Sequence, residues 1–195
     1  MQLHGSTTVA TGATIGPDST LTDMTVEADA TVIRAHGFGA VIGEGATVGP
    51  FAYLRPGTTL GKDAKLGTFC EAKNSQIGDG AKIPHLSYVG DATIGEGANI
   101  GAGSIFANYN GLVKNRSVIG AHARMGSAGI YVAPVTVGDG AYSGAGALIR
   151  KDVPAGALAY SETSQRTIDG WVLKNRAGTE PAAVSYTHLT LPTSD

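Results

Sequence analysis

The chain has 195 residues, 14 basic and 16 acidic, for a formal net charge of −2, and only 15% of its residues are charged. That balance gives no basic footprint for nucleic acid or an anionic membrane surface, and no apolar run is long enough to span a bilayer. The one cysteine, Cys70, excludes an intrachain disulfide, and the N-terminus does not read as a signal peptide, so a cytoplasmic setting is expected.

From Leu3 onward, apolar residues recur every six positions. Leu3, Val9, Ile15 and Leu21 begin the series, and Val26 and Val32 follow. Then come Ile42, Val48, Leu54, Leu60 and Leu66, next Ile77 and Ile83, and next Ile94, Ile100 and Phe106. A last register runs Ile119, Met125, Tyr131, Val137, Ser143 and Ile149. A period of six fits neither the 3.6 of a helix nor the 2 of a strand. It fits a coil of about three hexads in which one side chain per hexad points inward. Such coils stack roughly 4.8 Å apart through parallel backbone hydrogen bonds. The expected fold is therefore all-β, a parallel β-helix of about eight coils over residues 3–150. The period does not fix its hand, and by the repeat alone an inert solenoid stays open as the lesser reading.

The register breaks at four places: between Val32 and Ile42, Leu66 and Ile77, Ile83 and Ile94, and Phe106 and Ile119. Breaks interrupt the ladder, so bulges or ejected loops are expected there. The first holds His36-Gly37-Phe38-Gly39 and reads as a permissive loop. The others hold Glu71-Ala72-Lys73-Asn74, then Pro84 to Asp91, then Asn108-Tyr109-Asn110-Gly111 with Lys114-Asn115-Arg116. They gather an imidazole, amides, a phenol and cations on a scaffold otherwise poor in them. Cations suit an anionic substrate, and an imidazole suits a proton that must be removed near neutral pH. His85, set among Tyr88, Lys73 and Asn108, is the best candidate base. His4, His36 and His122 stand alone, and no pair of histidines has the close spacing of metal ligands, so no metal site is expected.

The segments GPFAYLRPG (49–57), EAKNSQIGDG (71–80), PHLSYVGDATIGEGANIGAG (84–103), NYNG (108–111) and VAPVTVGDGAYSGAGALIRKDVPAGALA (132–159) carry a closer likeness. They resemble the C-terminal acetyltransferase domain of the bacterial bifunctional N-acetylglucosamine-1-phosphate uridyltransferase/glucosamine-1-phosphate acetyltransferases. The GWVLKNRAG segment (170–178) looks like the actinobacterial members. The resemblance implies a left-handed β-helix that forms a homotrimer with active sites between subunits. It also implies transfer of acetyl from acetyl-CoA to the amine of glucosamine 1-phosphate, on the route to UDP-N-acetylglucosamine and the cell wall.

Position by position, the likeness makes His85 the catalytic base. Asn108 becomes the residue that places the substrate and the reacting acetyl group, with its amide as an oxyanion donor. Arg55, Lys73 and Lys114 match residues that bind the sugar phosphate, and Tyr88 and Asn99 match sugar contacts. Ala102, Asn108, Tyr109, Ser127 and Ala145 match the coenzyme A groove, and Trp171 would stack on the adenine or simply pack the C-terminal tail. Direct transfer leaves Cys70 as a small core residue. Another amino or hydroxy acceptor, or an inactive solenoid fragment, remains the alternative.

Three positions depart from the family pattern: Asn110 and Ala128 replace carboxylates, and Glu162 replaces a basic residue. The uridyltransferase half, with its magnesium site, is absent from this sequence. Residues 1–160 are expected to form the catalytic β-helix and 161–183 a C-terminal extension. The ending VSYTHLTLPTSD (184–195) fits neither the repeat nor the family and reads as a non-native tail.

Overall fold

The computed structural model describes residues 1–162 and 164–187. Over Met1–Ser161 the chain winds through three parallel sheets of nine, eight and nine short strands. Within a sheet, each strand's neighbour is the third strand along the chain, the signature of a coil with three strands per turn, except that Tyr142–Ser143 pairs with Leu158–Ala159 two strands on. We call the three sheets faces A, B and C in the order the chain visits them, starting at Gln2–His4, Thr8–Val9 and Thr14–Ile15. The β-helix thus has about nine turns where the period predicts about eight. The strand Leu158–Ala159 adds the ninth on face C, and several turns are shorter than three full hexads.

The hexad residues point inward as expected. Leu21, Ile42, Leu54, Ile83, Ile100 and Ile119 are among those sealed from solvent. Phe106 and Tyr131 pack in the core with tilted rings, centroids 4.9 Å apart. Ser143, the one serine in this register, lies 3.3 Å from the Tyr131 phenol, so each of the two buried hydroxyls has a partner. Cys70 is buried and its thiol donates to the Ile83 carbonyl. Burial pushes that thiol up, only partly offset by hydrogen bonds, which suits a core residue rather than a nucleophile.

The first three register breaks are not bulges or ejected loops. His36–Phe38, Glu71–Lys73 and Tyr88–Gly90 are strands of face A, with Gly37, Ala72 and Val89 in the inward position. Each break contains a five-residue step to the next inward residue (Gly37 to Ile42, Ala72 to Ile77, Val89 to Ile94) in place of six. The corner is then turned by one residue of left-handed backbone: Gly39, Asn74 or Asp91, with φ of 56°, 47° and 48°. Gly, Asn and Asp take that conformation at least cost. Gly37 carries no side chain because the Met24 methyl fills its place, 2.8 Å from where a Cβ would sit.

Only the fourth break leaves the coil. Residues 108–116 form an excursion in which Tyr109 and Lys114 make an antiparallel bridge. A second compact unit begins at Glu162 and contains helices α1 (Trp171–Asn175) and α2 (Glu180–Thr187). α2 runs into the stretch read as a non-native tail, and residues 188–195 lie outside the described residues. No described helix is long and apolar enough to cross a membrane.

Candidate active site

At the corner where face A gives way to face B, Asn74, Asp91 and Asn108 come from three successive turns and stack. Asp91 sits between the two amides. Its Oδ1 accepts from Asn74 Nδ2 at 2.6 Å and its Oδ2 accepts from Asn108 Nδ2. Lys73 Nζ adds an ion pair at 3.3 Å. The Asp91 side chain is only 9% exposed. Burial alone would raise its carboxyl, but the bonds from Asn74, Asn108 and Lys73 together hold it below the ordinary carboxylate range. A buried carboxylate with three donors is a satisfied one.

Asn108 is itself buried. Its second Nδ2 hydrogen points to the Tyr88 hydroxyl at 3.4 Å, and its backbone carbonyl accepts from Asn115 N at 2.7 Å, which ties down the return of the excursion. Both amide hydrogens are therefore engaged inside the protein. The oxyanion-donor role expected for Asn108 is not what this geometry offers, because the group left over is its carbonyl oxygen. Gly90 makes the arrangement possible: a Cβ there would fall on the Tyr88 hydroxyl and 2.7 Å from Asn108 Nδ2.

The cations converge on the same corner. Lys114, carried by the excursion and exposed, lies beside Lys73, and that like charge lowers its ammonium below the ordinary lysine range. Arg55 contributes to the same field. Its guanidinium pairs with Glu71 at 2.9 Å, a bond that raises its already high affinity for its proton. Arg116 fastens the end of the excursion to the coil, bonding the carbonyls of Asn74 and Ala92 and the Thr93 hydroxyl.

The other half of the expected site lies at the opposite edge of face A, where face C turns into it. His85 ends the strand Lys82–His85 and is exposed. Its carbonyl accepts from Gly103 N, the Ala102 carbonyl from Ala128 N, and the Ser127 carbonyl from Gly146 N. His85, Ala102, Ser127 and Ala145 thus form one column, one residue per turn, with His85 at one end. At roughly 4.8 Å per turn, the column runs about 14 Å. It is separated from the Asn108 corner by the width of face A, about 15 Å for five extended residues. One chain therefore does not bring His85 and Asn108 within contact of a single substrate atom.

The remaining expected residues are dispersed. Asn99 lies on face C, in register with Lys82 and Arg124, and is not part of the Asp91 corner. Tyr109 is exposed on the excursion, its hydroxyl donating to the Gly111 carbonyl at 2.6 Å. Trp171 lies in the second unit, on α1, with the Arg176 guanidinium 5.5 Å from its ring. Among the described residues, no cluster of His, Cys, Asp and Glu could hold a metal ion. Asp91, Asn74, Gly90 and Arg116 were not singled out from the sequence. Asp91 and Asn74 did carry a signal, as polar residues placed where an inward register slips.

Asn110, where the sequence likeness leads one to expect a carboxylate, serves as an acceptor in the excursion. Its Oδ1 takes the backbone N–H of both Leu112 and Val113 at 2.9 Å, shaping the turn as an Asp would. Ala128, in contrast, holds φ of 56°, a conformation that an Ala side chain disfavours.

The triangular coil of hexads, with its polar groups gathered at two corners, carries the hexapeptide repeat of bacterial transferases. The bacterial transferase hexapeptide family (six repeats) matches residues 39–71 and 74–108. Among individual proteins, the chain is 67% identical over 183 residues to the bifunctional protein GlmU of Kineococcus radiotolerans and 62% identical to that of Rhodococcus opacus. The alignments cover 94% of this chain but 37% and 36% of those proteins, so the chain spans little more than a third of the relatives it matches. Among solved structures, an Arabidopsis UDP-N-acetylglucosamine acyltransferase shares the fold. Its TM-score is 0.59 at 16% identity, covering 100% of this chain and 83% of that one.

Proposed function

We propose that the chain transfers acetyl from acetyl-CoA to the amine of glucosamine 1-phosphate, in the cytoplasm, as a homotrimer. The observation that carries this is the placement of Arg55 and Lys73 on successive turns at one edge of face A, with Lys73 paired to the Asp91 that holds the buried Asn108 amide and Lys114 of the excursion next to it. A cation-poor chain places three cations at one corner, and a dianionic phosphate offsets the repulsion between them. Arg55, Lys73 and Lys114 take the phosphate, Tyr88 and Asn99 the sugar. The column of Ala102, Ser127 and Ala145 leaves room for an extended pantetheine, with His85 at its end. Tyr109 completes the coenzyme site on the coil, and Trp171 is assigned to the adenine by sequence likeness alone. The amine nitrogen attacks the thioester carbonyl, the C–N bond forms and the C–S bond breaks. His85 takes the amine proton, and coenzyme A leaves as the thiol once protonated. Residues 1–160 carry this chemistry, 161–183 extend it, and 184–195 are foreign to it.

The trimer reading is supported by a second observation. Phe51, Phe69 and Leu86 hold left-handed backbone, costly for bulky side chains, and remain 54%, 57% and 62% exposed. They stand one per turn beside His85, with Phe51 and Phe69 stacked at 5.3 Å. An apolar ladder of this kind calls for a covering surface. A second copy that seats its Asn108 corner against this edge would bring base and amide together. The test is subunit mixing. His85→Ala and Asn108→Ala chains, each inactive alone, are refolded together and assayed for release of coenzyme A thiol from acetyl-CoA with glucosamine 1-phosphate. Recovered activity is expected. No activity from the wild type rejects the reaction, and no recovery in mixed, folded trimers rejects the shared site.

A further inference from the structure

We infer that Asp91 is a positioning residue that sets which atom of the Asn108 amide faces the acceptor, and that through it the site selects an amine over a hydroxyl. The inference rests on the acetyl-transfer reading above and adds to it the basis of acceptor choice. A carboxylate without a proton can only accept, so the Asn108 atom against Asp91 Oδ2 is the nitrogen. The other hydrogen on that nitrogen is directed to the Tyr88 hydroxyl. Asn108 Oδ1 is then the atom that remains, without a partner among the described residues and not sealed from solvent. Asp91 cannot turn away to release it. Asn74 holds its other oxygen from the turn on the far side, and Lys73 spans both oxygens at 3.3 and 3.4 Å.

The consequence is chemical. An amine that attacks through its lone pair carries two hydrogens. One goes to the base as the C–N bond forms, and the other satisfies Asn108 Oδ1. A hydroxyl in the same place carries a single hydrogen, which the base must remove, so its oxygen lone pairs would face Oδ1. An Oδ1 desolvated by the bound substrate and left unmatched disfavours the hydroxyl by at least about tenfold. The excess of lone pairs at this corner is thus a filter for nitrogen, and Asp91 is what enforces it. The depressed carboxyl of Asp91 is consistent with this, since a protonated Asp91 would no longer dictate the direction of the amide.

The test is Asp91→Asn in the full chain. The replacement keeps the shape, but its amide can present either end to Asn108. Thiol release from acetyl-CoA is measured with glucosamine 1-phosphate and with glucose 1-phosphate, its hydroxyl counterpart. The expected result is a fall in kcat with the amine of about 10- to 100-fold, an unchanged KM for acetyl-CoA, and an amine-to-hydroxyl ratio of kcat/KM reduced at least about tenfold. An unchanged ratio overturns the inference, as does a loss explained by a reduced folded or trimeric fraction. Should the wild type show no turnover with glucosamine 1-phosphate, the acetyl-transfer reading fails by itself. The role of Asp91 is then read from the Asn108 side-chain amide in nitrogen–proton NMR spectra. Two slowly exchanging Nδ2 proton signals that move in Asp91→Asn support the hold, and signals that stay in place reject it.

Discussion

Gly90→Ala separates the site from the scaffold. Gly90 is buried on face A in register with Lys73, and its backbone is not in the left-handed region, so an alanine fits the main chain. The obstruction is local: the new methyl would land on the Tyr88 hydroxyl and 2.7 Å from Asn108 Nδ2. Restoring an ordinary contact moves the amide by about 0.7 Å, against the hold of Asp91. Over-packing costs about 1–3 kcal/mol, and loss of glycine's freedom in the unfolded chain returns about 0.4–1 kcal/mol. The net loss of stability is therefore modest, about 0–2.6 kcal/mol. Displacement of a reacting group by this distance costs activity about 10- to 100-fold. Thiol release gives kcat and KM, and denaturant unfolding gives the stability. A variant within twofold of wild-type activity would refute the placement of Tyr88 and Asn108 in the reacting geometry. A variant that unfolds would refute the claim that the clash is confined to the site.

Two departures from the family pattern give opposite expectations. Asn110→Asp keeps the acceptor that takes the Leu112 and Val113 N–H groups, so activity within about twofold and stability within about 0.5 kcal/mol are expected. A large change in KM for the sugar phosphate would show that the neutral amide matters in itself. Ala128→Gly relieves a left-handed alanine and should raise the unfolding free energy by about 0.5–1 kcal/mol, read from the denaturant midpoint. A lowered midpoint would mean that the Ala128 methyl packs against something worth more than the strain.

The inward residues of the regular hexads were legible because burial acts on every sixth side chain alike. The first two breaks were misread for the same reason. Gly37 and Ala72 occupy inward positions without the bulk that an apolar period detects, and Met24 supplies the missing volume at Gly37 from a corner. A five-residue step with one left-handed corner looks in sequence like a lost register, although the ladder continues through it. The excursion at 108–116 was legible because its length cannot be absorbed by a corner. His85, Lys73, Tyr88, Asn108 and Lys114 were legible because polar groups stand out on an apolar scaffold. Asp91 was hidden by its neighbours: corner aspartates recur along the chain, and Asp23, Asp79 and Asp139 accept backbone N–H groups of the adjoining turn. What distinguishes Asp91 is the identity of its donors, two side-chain amides and a lysine, which only the stacking of turns reveals.

That stacking also decides how charge is divided at the corner. Lys73 is already balanced by Asp91, and Arg55 by Glu71, so neither offers a full uncompensated charge to an incoming anion. Lys114 pairs with no carboxylate at ion-pair distance among the described residues and feels the positive charge of Lys73 most strongly. The fixed pairs hold two cations in place, and the excursion brings the third. A phosphate that enters meets donors whose positions are set by carboxylates behind them and one cation whose charge it alone offsets. The rigid pairs then supply orientation, while Lys114 supplies most of the electrostatic gain. The part of the chain that leaves the repeat thereby closes the site that the repeat builds.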